Sequence, residues 1–375
     1  MRNLATGLVC GFVTLAILAG SSPVRGVVAI PVWNRAKAAT YLAGRASAWL
    51  SWSGSARGNG TACISCHTGL PLSLSLAALS RSAGGDQAKS AEELLVTDVE
   101  HRVADWNTIS STHGWQAGAA QCFYGDKQPS SLGTESVMNA LVLTNFERSR
   151  SAKVLPNSTR QALKYLWQQQ QPDGSWQWLE FGLSPWEHDG VYYGAALAGI
   201  AVGMAGPAYY DSPAVRPNVT ALRAYLKHSI NTVRLHDATV CLLASTWLPG
   251  ILTRDQQAGI VQRLAAIQNT DGGWSLHSLG TVGQQPSQWG SPGFYPNDST
   301  SDGYATGLIV LTLKRLALPA SKHTVAMGVQ WLSAHEHNGS WPANYINGMR
   351  DPKSMEGKFM RDAATSFAVL ALQQK

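Results

Sequence analysis

Residues 165–176 read YLWQQQQPDGSW, and the theme returns at 264–274 (LAAIQNTDGGW) and 331–341 (WLSAHEHNGSW). Each stretch is the tail of an amphipathic helix, then a Gln or Glu, an Asp/Asn-Gly turn and a Trp. A glycine at that place supplies the left-handed conformation that stops a helix, and the Trp after it can fold back over the helix end. Three copies along one chain mark an internal repeat, and the repeat decides how the rest is parsed.

A second series follows the turns, each opening on an acid and running into a small, apolar segment. Its members are GTESVMNALVLTNF with Glu135, HDGVYYGAALAGIAVGM with Asp189, HDATVCLLASTWL with Asp237, SDGYATGLIVLTL with Asp302 and RDAATSFAVLAL with Asp362. Helices apolar on nearly every face are buried all round. The helices ahead of the turns, such as TRQALKYLWQQQQ and DQQAGIVQRLAAIQ, keep a polar face and belong outside. Outer helices are expected near 34–50, 88–106, 157–171, 217–231, 253–269 and 321–336. With HTGLPLSLSLAAL as the first, inner helices are expected to begin at 67, 135, 189, 237, 302 and 362. Strict alternation of six outer and six inner helices predicts an all-α fold, an (α/α)6 toroid, as a single domain over residues 30–375.

The turns resemble the QW repeats of squalene–hopene cyclases, oxidosqualene cyclases and protein-prenyltransferase β subunits. That resemblance implies a terpenoid-cyclase-like toroid around a substrate cavity that opens where the inner helices begin, and an apolar, isoprenoid-like substrate. The chain also departs from those families. It lacks the D-x-D-D motif that starts polyene cyclisation, and the cyclases enclose substrate between two helical domains rather than one. Asp237, Cys241 and His236 fall close together as prenyltransferase zinc ligands would, but without that family's Asp-x-Cys spacing.

One motif has no place in those families. Residues 58–70 read GNGTACISCHTGL, and C-I-S-C-H is the spacing for covalent c-type haem: Cys63 and Cys66 for the thioether bonds, His67 as proximal iron ligand. Zinc would need further ligands nearby, and no second cysteine pair exists. The motif occupies the turn of the first repeat, so one haem c per chain is expected at the barrel mouth. Hairpin six closes the ring beside it, and its segment YINGMRDPKSMEGKFMRDAATSF offers Met360, Met355 or Met349 as the distal ligand; hairpin two offers His113.

Export agrees with haem attachment. Arg2 followed by LATGLVCGFVTLAILAG and small residues reads as a signal peptide over residues 1–29, with an uncleaved anchor touching the membrane surface as the alternative. A periplasmic or secreted location follows. Apart from Cys10 in that leader, Cys122 and Cys241 remain, either as a disulfide or as two buried thiols. The net charge of +6 is spread without a Lys/Arg run, which argues against a nucleic-acid partner.

Acids at helix starts ordinarily cap backbone N–H groups, which favours the ionised form. Two clusters stand above that background as candidate catalytic acids. Glu187, His188 and Asp189 sit among Trp186, Tyr192 and Tyr193, and Asp298 pairs with Asp302 between Tyr295 and Tyr304. Adjacent carboxyls in an aromatic pocket raise one pKa and make a proton donor. Three functions fit these residues: a haem-dependent redox enzyme on an apolar molecule, a proton-initiated cyclase with auxiliary haem, or a non-enzymatic electron carrier or haem sensor working with a redox partner protein.

Overall fold

The structure is a computed structural model, and it describes residues 32–81, 85–109, 127–152, 154–282, 298–344, 347–348 and 350–375. Twelve principal helices alternate between two layers among these residues. The outer ones are α1 (Arg35–Ser51), α3 (Asp86–Ala104), α5 (Asn157–Gln168), α7 (Arg216–Ser229), α9 (Arg254–Ala266) and α11 (Lys322–Ala334). The inner ones are α2 (Gly69–Ser80), α4 (Gln128–Ser149), α6 (Val191–Met204), α8 (Leu235–Ser245), α10 (Gly303–Leu316) and α12 (Phe359–Gln373). Two single helical turns, Trp106–Ile109 and Pro207–Tyr210, join them.

The layers differ as the hydrophobic pattern requires. In α6 every residue from Tyr192 to Gly203 is buried, whereas α5 buries only Thr159, Ala162, Leu163, Tyr165 and Leu166, a stripe at helical spacing. Each inner helix packs on the next, and α12 packs back on α2, so the inner ring closes as the expected toroid. The inner helices begin at 69, 128, 191, 235, 303 and 359, so only the start of α4 departs from the sequence expectation by more than three residues. Helix α4 begins at Gln128, with Pro129 in its first turn, which carries Glu135 into the helix body. Helix α6 begins after Gly190, which leaves Asp189 outside it with φ +50°.

The repeated turns hold neighbouring hairpins together. The indole N–H groups of Trp176, Trp274 and Trp341 donate to the carbonyls of Leu166, Leu264 and Leu332 at 2.8, 2.8 and 2.7 Å, each tying off its own outer helix. Gln170 and Gln268 reach across to the first turn of the next outer helix, donating to the carbonyls of Asn218 and Thr324 at 3.1 and 3.0 Å. In the last repeat Glu336 takes that place and accepts from the backbone N–H of Asn34 at 2.9 Å, which closes the outer layer on α1.

The acids at the inner helix starts depart from expectation. Asp302 alone among them caps its helix, accepting from the N–H groups of Tyr304 and Ala305 at 2.9 Å each. Glu135, Asp237 and Asp362 instead pair with Arg102, Arg234 and Arg45, because each guanidinium reaches its acid where both are shielded from water.

Candidate functional site

A cavity of about 410 Å³ lies on the toroid axis. Its walls come from the middle and the C-terminal parts of the inner helices, with Leu141, Leu197, Ile200, Leu308, Leu311 and Phe367 among them. Tyr193 forms the floor, and Arg81, Arg148 and Arg315 stand near the last turns of α2, α4 and α10. Arg81 and Arg148 are exposed, so the cavity meets solvent where the inner helices end. The expected mouth, at the face where those helices begin, is therefore corrected. The reason is packing: Trp186 and Tyr304 fill the axis there and are fully buried.

Below the floor lies a connected polar core. Trp186 Nε1 donates to the Tyr304 hydroxyl at 3.0 Å, and that hydroxyl is 2.8 Å from His236 Nε2. His236 Nδ1 faces Asp237 Oδ1 at 2.7 Å, and Arg234 Nε donates to Asp237 Oδ2 at 3.0 Å. A carboxylate only accepts, so the imidazole proton sits on Nδ1 and Nε2 accepts from the phenol. Burial holds His236 below the usual imidazole range, against the pull of Asp237. This use of Asp237 and His236 leaves no zinc set with Cys241, a free, buried thiol pushed up to about 12 by burial.

The C-I-S-C-H residues lead into α2, with His67 next to Trp186 of this core. Cys66 is 2% exposed and its Sγ lies 3.8 Å from the sulfur of Met138, a neighbour that no local pattern in the sequence marks. His67 stacks on Phe359 with centroids 3.7 Å apart, meets the edge of Trp49 at 5.6 Å and lies 6.2 Å from Trp186. Its Nδ1 is 3.0 Å from Thr68 Oγ1, which in turn donates to Asp362 at 3.2 Å. Among the described residues Nε2 has no hydrogen-bond partner. Burial pushes the imidazole down to about 3, with Arg350 and Arg45 adding to the effect, so His67 is neutral at physiological pH. A neutral, oriented imidazole beside two free thiols is the donor chemistry that a covalent haem takes.

The candidate distal ligands fare differently. Met360 is buried at the start of α12, whereas the Met355 sulfur accepts from Arg45 at 2.9 Å. Met349, His113, Cys122 and Tyr295 lie outside the described residues, as does the leader.

The proposed acid cluster does not assemble. Glu187 is turned inward, and burial pushes its carboxyl up to about 7. His188 and the exposed Asp189 face outward with Glu180, whose Oε1 lies 3.3 Å from His188 Nδ1. Buried Glu187 is thus separated from His188 and Asp189, which stay together at 3.5 Å with Asp189 at φ +50°. Asp298 closes its own turn by accepting from Thr300 N at 2.8 Å, while Asp302 is buried and pushed up to about 7 by desolvation. Among the described residues none of the cavity lining is a carboxylate or an imidazole.

No family model matches the chain, and no curated protein matches it. Among solved structures it is similar to the unsaturated glucuronyl hydrolase from Bacillus sp. GL1, with 11% identity and a TM-score of 0.53 over 90% of this chain and 96% of that one. Weaker likenesses are to a polysaccharide lyase (9% identity, TM-score 0.49, 91% and 97% covered) and to the type II terpene cyclase MstE from Scytonema (15%, 0.45, 89% and 98%). The hydrolase likeness bears on the fold alone, a helical toroid.

Proposed function

We propose that this toroid is an exported, haem-dependent redox enzyme acting on an apolar, isoprenoid-like molecule held in the axial cavity. One observation carries the reading: an aromatic line joins His67 to the cavity wall. It runs from His67 to Trp186 (6.2 Å between centroids), on to Tyr304 (5.4 Å) and then to Phe367 (5.1 Å), which lines the cavity.

Cys63 and Cys66 would hold the haem, His67 would bind its iron, and the bound group would supply one-electron redox chemistry. The chain's own residues do the rest. Thr68, fixed by Asp362, orients the imidazole through Nδ1. Tyr304 lies on this line with its hydroxyl 2.8 Å from His236 Nε2, which accepts its hydrogen bond and is placed to take the phenolic proton and return it, with Asp237 stabilising the imidazolium. The apolar cavity walls keep water from the bound chain. A proton-initiated cyclase is disfavoured, because its acid would have to face the cavity and Glu187, Asp237 and Asp302 do not line it. A bare electron carrier has no use for such a cavity.

The test is a pyridine haemochrome spectrum on protein exported from a host with c-type maturation. One covalent haem per chain is expected, and Cys63→Ser with Cys66→Ser should abolish it while helical content by circular dichroism is retained. Wild-type protein without covalent haem would overturn the reading.

A further inference from the structure

At the rim of the cavity two guanidiniums, Arg148 and Arg315, have no acid paired with them among the described residues, while Arg81 beside them feels the attraction of Glu92. Arg315 stacks on the Trp247 ring at 3.6 Å and Arg148 lies over the same ring at 4.8 Å, so two guanidiniums share one indole. Arg315 donates to Thr246 Oγ1 and Gln374 Oε1, both at 3.1 Å and both uncharged. Arg81 completes the rim from α2. Among the described residues none of the three forms an ion pair, although Arg45, Arg102, Arg150 and Arg234 all do. Burial, with Arg148 adding to it, pushes Arg315 down to about 10, the sign of a cation short of a counter-charge.

Beneath this rim the surface changes character. Leucine, isoleucine and Phe367 line about 410 Å³ of space ending at Tyr193, whose phenol burial keeps protonated. Cavities of this size hold small organic ligands, mostly by apolar contact with a few polar groups fixing orientation. Guanidiniums recognise carboxylate and phosphate through paired N–H groups. We infer that the cavity binds a single-chain anionic amphiphile, its carboxylate or phosphate head on Arg148 and Arg315 and its apolar tail running down the axis toward Tyr193. The inference rests on reading the cavity as the substrate site, and it narrows the substrate from an apolar molecule to one with a charged end. That end stays at the solvent rim while the tail meets Tyr193 and Phe367, the last ring of the aromatic line.

Calorimetric titration of the full chain with palmitate, farnesyl monophosphate and the uncharged hexadecanol and farnesol tests this. One chain should bind one molecule, with at least one charged probe about tenfold or more tighter than its alcohol, as expected for a charge-assisted contact worth about 1.5–3 kcal/mol. Palmitate ahead of farnesyl monophosphate assigns a carboxylate head; the reverse order assigns a phosphate; either upholds the inference. Arg148→Gln with Arg315→Gln should erase the preference for charged probes and leave the alcohols unchanged. Leu308→Trp, which fills the cavity, should abolish binding of all four. Equal affinity for charged and uncharged chains, binding that survives Leu308→Trp, or no binding to any probe would each overturn it. Should the double arginine variant fail to fold, Arg148→Gln alone, at an exposed position, must still weaken the charged probes selectively. Repeating the titration on Cys63→Ser/Cys66→Ser protein separates the two readings, since loss of haem leaves this site intact.

Discussion

Glu187 is a carboxyl placed among rings. It lies beside Trp186, is 8% exposed, and burial raises its pKa to about 7 against the opposing pull of Arg350. A group whose folded pKa is raised above its unfolded value contributes stability below the unfolded value, and that contribution is lost as pH rises through the folded one. For Glu187 the window runs from 4.5 to about 7. Glu187→Gln cannot ionise, so its stability relative to wild type should rise by about 2 kcal/mol between roughly pH 5.5 and pH 8. Urea denaturation of both proteins at the two pH values measures this. His67, held neutral with a pKa near 3, behaves alike in both proteins and cancels. A pH-independent difference would mean that Glu187 keeps its charge in the folded state. As a stability liability without a place on the cavity wall, the residue was visible in the sequence as an unusual acid, but its role was not.

The turn is the unit that the sequence states most fully, because every part of it is local. Gly174 has φ +96°, and a Cβ there would come 2.3 Å from the carbonyl oxygen of Ala221 on α7. Gly339 repeats the arrangement at φ +84°, 2.3 Å from the carbonyl of Lys37 on α1. The glycine thus ends one outer helix and lets the next approach. Gly182 has φ +67° but open space around it. Gly174→Ala should therefore cost about 3 kcal/mol, strain and clash together, while Gly182→Ala costs about 1 kcal/mol for strain alone. Chemical denaturation decides, and equal losses would show that the close approach carries no weight. The acids at inner helix starts show the opposite limit. Their position implied caps, yet Arg102 reaches Glu135 across 33 residues and Arg45 reaches Asp362 across 317. No window of sequence contains such a pair. The cavity is as non-local: Arg81, Arg148 and Arg315 each look like basic residues placed to meet a helix C-terminus, and only ring closure makes them one rim.

A ring has one place where its ends meet, and here that seam also holds the C-I-S-C-H motif. Helices α1 and α2 meet α12 there, and Asp362 is the shared partner. Arg45 donates to both of its oxygens at 2.7 Å, and Tyr41 and Thr68 each donate at 3.2 Å. The first and last hairpins are thus joined through one fully buried carboxylate, which also holds the Thr68 hydroxyl that positions His67. Removing one member of a buried pair leaves an uncompensated charge and costs about 3–5 kcal/mol. Asp362→Ala should lose that much, and so should Glu135→Ala, which removes the ion-pair partner of Arg102 between α3 and α4 of the second hairpin. The two should differ in how the molecule comes apart. A closed ring has no free end from which to unravel, so wild type and Glu135→Ala should lose helical circular dichroism and tryptophan fluorescence together. Asp362→Ala opens the seam, and fluorescence from Trp49, Trp52 and Trp341 beside it should change at lower urea than the helical signal. Coincident transitions in Asp362→Ala would mean that the apolar packing of α12 on α2 closes the ring unaided, and that Asp362 serves His67 alone.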